Sequence, residues 1–132
     1  MAEELSTQST QVRAAAVLTN SYVASSSADL ANFNQAEVMM DLTFGSLTSV
    51  EAIVEVSQDN TNWYVRLISD PPSSGTEATY PRVIQLTAAN FTGYTKMTIP
   101  FPVAARYARC RFKGTGDVTG SSLAATIVAN DI

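Results

Sequence analysis

The densest charge feature of the chain is Arg106, Arg109, Arg111 and Lys113. From Arg109 the i, i+2, i+4 spacing puts three cations on one face of a strand, a geometry that suits a phosphate or an acidic partner. The same cations also suit pairing with Glu51 and Glu55 on a neighbouring strand, which stabilises antiparallel pairs, and this second reading is preferred. Acid–base chemistry has little to work with. Histidine is absent, so the commonest general base, metal ligand and triad partner is missing. The single cysteine, Cys110, makes neither an intrachain disulfide nor a zinc site and reads as a small core residue. Among the 12 carboxylates, a glycosidase would need two facing each other across a sugar. Glu51 and Glu55 instead share a strand face, more than ~10 Å apart at ~3.3 Å per residue. Asp59, Asp70 and Asp117 occupy turn sequences, where Asp bonds its own main chain; a lone calcium there is the lesser reading. Gly114-Thr-Gly-Asp-Val-Thr-Gly120 has the glycines of a nucleotide loop but lies between two strands and opens no helix. The expectation is a non-enzymatic chain with no cofactor and no metal.

Aromatic residues offer a different chemistry, stacking on sugar rings. Tyr22, Tyr64, Tyr80, Tyr94 and Tyr107 are dispersed, and Trp63 begins a strand directly after a turn. For Trp63 a place in the core is preferred over an exposed platform.

The elements that position these residues are strands. Glu37 to Phe44 alternates, with Val38, Met40, Leu42 and Phe44 on one face, the period-2 pattern of a half-buried strand. Gly45-Ser46 breaks it. Val50 to Ser57 resumes, with Val50, Ala52, Val54 and Val56 inward and Glu51, Ile53 and Glu55 outward. Ser57 to Asn62 is a turn and Trp63 to Ile68 the return strand of a hairpin. Ser69 to Thr76, with two prolines and Gly75, is the strongest loop. Arg82 to Thr87 and Tyr94 to Ile99 are short strands, the latter stopped by Pro100 and Pro102, and Thr87 is positioned to cap one helical turn within Leu86 to Phe91. Ala105 to Lys113 alternates, Ala108, Cys110 and Phe112 opposing Tyr107, Arg109, Arg111 and Lys113. Gly114 to Gly120 turns the chain and Ser122 to Asn130 closes it. Toward the start, Gln11 to Thr19 places Val12, Ala14, Ala16 and Leu18 on one parity, and Ser21 to Gln35 reads as a loop with a short irregular strand.

About eight short strands without a crossover helix predict an all-β chain, a single antiparallel β-sandwich of jelly-roll type spanning residues 11–132. At 132 residues this is one domain with one core. Residues 1–10 are polar, aperiodic and carry Glu3, Glu4 and Leu5; they read as a flexible or partner-ordered arm. They lack the basic start and apolar run of a signal peptide or membrane span, so no membrane partner and synthesis in a cytoplasm are expected. The composition, 45% hydrophobic and only 15% charged, implies a neutral-polar surface suited to burial in an assembly. A net charge of −4 argues against nucleic acid as a partner, since phosphate binding needs a basic face.

Leu47 to Tyr64, ending Ser-Gln-Asp-Asn-Thr-Asn-Trp-Tyr, resembles a strand and Ser-x-Asp-x-x-x-Trp-Tyr hairpin of small tailed-bacteriophage virion proteins. Ala105 to Gly116, followed by Ser121-Ser-Leu, is similar to the penultimate strand and turn of those proteins, and to the corresponding strand of discoidin-like jelly rolls. The resemblance implies a virion structural protein, with a capsid decoration (cement) protein as the first expectation and a tail, neck or adhesion subunit with a carbohydrate-binding sandwich as the alternative. The implied partners are the major capsid protein or other virion proteins. A homo-oligomer is expected, a trimer suiting a capsid threefold. Glu3, Glu4 and Leu5 of the arm, Arg109, Arg111 and Lys113 of the basic strand, and the loops Ser69–Thr76 and Gly114–Gly120 are the candidate contacts.

Overall fold

Alternating side chains need a second layer to cover their apolar face, and the computed structural model, which describes residues 7–70 and 78–131, supplies it. The strands are β1 (Thr7–Ala16), β2 (Val23–Ala24), β3 (Ala28–Asp29), β4 (Gln35–Thr43), β5 (Leu47–Ser57), β6 (Tyr64–Val65), β7 (Leu67–Asp70), β8 (Ala78–Pro81), β9 (Ile84–Thr87), β10 (Lys96–Pro102), β11 (Tyr107–Gly116) and β12 (Ser122–Asn130). One layer has the order β1-β12-β4-β10, the other β2-β11-β5-β6, with β3 also on β11 and β9 also on β5. All pairings are antiparallel. Short β2 and β3 share one flank of β11, and β6 and β9 share one flank of β5. The segments thus fill eight strand positions in two four-stranded layers, between which the chain repeatedly crosses. That is a jelly-roll sandwich. β7 and β8 form a separate hairpin.

Between the layers the inward sets of β4, β11 and β12 meet. Val38, Leu42, Ala108, Cys110, Phe112, Leu123 and Ile127 are sealed from solvent, together with Leu18, Val50 and Ala52. The turns after β4 and β11 lie back to back at one end. A Cβ on Gly45 would stand 2.4 Å from the Gly120 carbonyl carbon, and both residues have positive φ, so this contact requires glycine.

Several boundaries differ from expectation. β1 starts at Thr7, not Gln11, because Thr7 to Thr10 pair with Asn130 to Ile127, a main-chain ladder that asks nothing of the side chains. Residues 7–10 of the expected arm are therefore strand, and residues 1–6 lie outside the described ones. Ala14 and Ala16 are exposed rather than inward, since the register slips on both sides of Arg13. Pro100 and Pro102 do not stop a strand; they belong to β10, which among the described strands pairs with β4 alone. On an edge strand every second N–H faces outward, and two prolines of one parity fit those positions. The return strand from Trp63 is split at Arg66 into β6 and β7. Ser69 and Asp70 extend β7 against β8 instead of entering the loop, while residues 71–77 lie outside the described ones. The helical turn is a 3-10 turn at Ala88–Asn90, and Thr87 precedes it without a side-chain cap.

Candidate functional site: the basic strand face

The register of β11 on β5 sets Arg109 opposite Glu55, Arg111 opposite Ile53 and Lys113 opposite Glu51. Arg109 Nε donates to Glu55 Oε1 at 2.9 Å, and its guanidinium lies 4.3 Å from the centroid of the Trp63 ring. Glu55 is 5% exposed and Ile53 8%, although alternation places both outward. Over Glu55 lie Arg109 and, stacked on it, the Trp63 ring, which is held by the turn after β5. That turn is fixed by Asp59, whose carboxylate accepts from the N–H groups of Thr61 and Asn62, the Asn62 amide and the Ser57 hydroxyl. These bonds hold its carboxyl well below the ordinary range, the backbone of Asn62 and then Thr61 contributing most.

Further along the strand, Lys113 Nζ is 3.6 Å from Glu51 Oε2 and 5.2 Å from the centroid of Tyr22. The Tyr22 hydroxyl donates to the same Glu51 oxygen at 2.6 Å. Loss of water and then the bond to Glu51 push that hydroxyl up to about 12. Arg111 lies 5.6 Å from the same ring and joins none of the ion pairs among the described residues. Arg106 turns aside to Asp29 at 3.1 Å and keeps the Asp29 carboxyl low, the N–H of Ala31 adding to the effect.

The preferred cross-strand reading of the basic run therefore matches the structure for Arg109 and Lys113. Of the three candidate cations on this face, Arg111 is the one without a carboxylate among the described residues. Glu3, Glu4 and Leu5 lie outside the described residues. Trp63 is half-buried with one face taken by Arg109, so it is neither a core plug nor an open platform. Cys110 sits in the core at 0% exposure, where burial pushes its thiol up to about 12. Asp117 accepts from the N–H of Thr119 within its turn. Among the described residues no group of three or more acids, cysteines or histidines is placed to hold a metal ion.

A second surface was not anticipated from the sequence. On the outer side of the β1-β12-β4-β10 layer, Ser9, Met39, Thr98, Ala124, Thr126 and Val128 line a shallow depression of about 420 Å³. Met39 is 43% exposed, and the ion pair at this surface is Lys96–Asp41 at 3.3 Å. The signal was the uncharged outward parity of β12, legible only once β12 is known to lie beside β4.

No protein-family model matches the chain, and no curated protein does. Among solved structures, the crystal structure of SPBc2 prophage-derived protein YomS matches with a TM-score of 0.57 at 10% identity, over 99% of this chain and 98% of that one. At that identity the likeness is one of fold.

Proposed function

We propose that the chain is a bacteriophage structural protein that works by adhesion rather than chemistry, and more specifically a capsid decoration (cement) protein attached to the head shell. The observation that carries this reading is the fold match to a prophage-derived protein, end to end on both chains. The surfaces are in keeping with it. The basic strand is largely neutralised by its own neighbours, while the opposite layer offers a shallow face on which Met39, Ala124, Thr126 and Val128 stand beside the Lys96–Asp41 ion pair, a mixed surface able to associate through buried area. Repetition around a shell multiplies a modest contact by avidity.

Mass spectrometry and immunogold labelling of purified particles from cultures carrying the gene test the proposal. The expected result is a fixed copy number in intact particles, with label over the head. Label confined to the tail or neck would replace the decoration role by the adhesion-subunit alternative. A chain abundant in lysate and absent from particles would overturn the structural-protein reading.

A further inference from the structure

At the root of the β7–β8 hairpin the sandwich leaves unusual groups in water. Tyr64 is 66% exposed, Leu67 58% and Val83 40%, and the N–H of Arg82 bonds the carbonyl of Arg66 at 2.8 Å, tying the two strand breaks together. Arg66 and Arg82 rim a slot floored by Val54, Val56, Ile84 and Phe101. The slot holds only about 10 Å³ of free space, room for one water, so a partner lies across it rather than in it. The four ion pairs among the described residues use neither arginine. Two guanidiniums without a carboxylate among the described residues, set around Val54, Val56, Ile84 and Phe101, have the composition of an interface hot spot, and they ask for carboxylates next to an apolar side chain.

The chain itself supplies that sequence in Glu3-Glu4-Leu5. The described structure begins at Thr7, which lies in one lateral row with Asn130, Gln35 and Pro102. The segment therefore departs from the strand end nearest Phe101 and the slot, but from the opposite edge of the layer, ~14 Å away across three strand spacings. A copy set beside the slot delivers its segment directly, whereas the same molecule would have to wrap its own layer. We infer that the Arg66–Arg82 rim receives residues 2–6 of a second copy of this chain, with Glu3 and Glu4 on the two guanidiniums and Leu5 across the apolar slot between them. The contact is head-to-tail, and it closes into a ring where the rotation allows. It holds whether or not the protein belongs to a virion.

Sedimentation velocity of the full chain over a concentration series reads this directly. The wild type is expected to self-associate. Deletion of residues 2–6, the pair Arg66→Glu and Arg82→Glu, and the pair Glu3→Lys and Glu4→Lys should each weaken association about tenfold or more. Mixing the two charge-reversed chains should restore association that neither shows alone. A wild type monomeric at every concentration, a deletion without effect, or a mixture of folded reversed chains without recovery would overturn the inference. The deletion leaves residues 7–132 untouched and decides the matter should the slot variants fail to fold.

Discussion

Arg109 has two partners, the Glu55 carboxylate and the Trp63 ring, whereas Lys113 reaches Glu51 loosely at 3.6 Å. The two cations are equivalent in the sequence and unequal in the fold. Arg109→Ala strands a carboxylate that is 5% exposed. It is expected to cost about 2–3 kcal/mol, below the range for fully buried pairs because Arg109 is partly solvated. Lys113→Ala should cost less than about 1 kcal/mol. Urea unfolding of both variants, followed by far-ultraviolet circular dichroism, measures the difference. Asp59 makes a pH-dependent contribution. Its folded carboxyl is depressed, so the unfolded chain takes up the proton first. The stabilisation is complete above about pH 4 and is lost as pH falls through the folded value. Asp59→Asn is expected to lower the melting temperature by a few degrees at neutral pH, and to flatten the decline below about pH 4 in melts taken across an acid series.

Strands β4, β11 and β12 were legible because each alternates for at least eight residues and has one face in the core. The shorter segments were not. β2, β3 and β6 have two residues each, too few for any period, and they are strands only because a long neighbour offers free main-chain groups. Prolines in β10 misled for a related reason: a proline ends a central strand but protects an edge. Replacing Pro100 and Pro102 together by Thr is therefore expected to leave the fold intact while restoring outward N–H donors. Light scattering on incubation should report faster self-association than in the wild type, with a change in unfolding midpoint equivalent to less than about 1 kcal/mol.

At the scale of the molecule, one buried cluster draws on both layers, from Val38, Leu42 and Ile127 in one to Val50, Cys110 and Phe112 in the other. A shared core makes the sandwich a single cooperative unit. Phe112→Ala, at a site 1% exposed, should cost about 3–5 kcal/mol. Trp63 fluorescence and far-ultraviolet circular dichroism should give coincident urea transitions for wild type and variant alike, although Trp63 lies outside the core. The sequence by itself determined the strand class, the inward residues of the long strands, the place of Cys110 in the core and the lack of histidine chemistry. All of these follow from residue type and a period of two. The tertiary structure decided which strands are neighbours, and with it the pairing of Glu55 with Arg109, the burial of Ile53, the shallow face around Met39 and the arginine rim beside Phe101. Alternation says which side of a strand a residue faces. The strand beside it is chosen through main-chain bonds that are nearly the same for every residue, and only the packed whole selects among them.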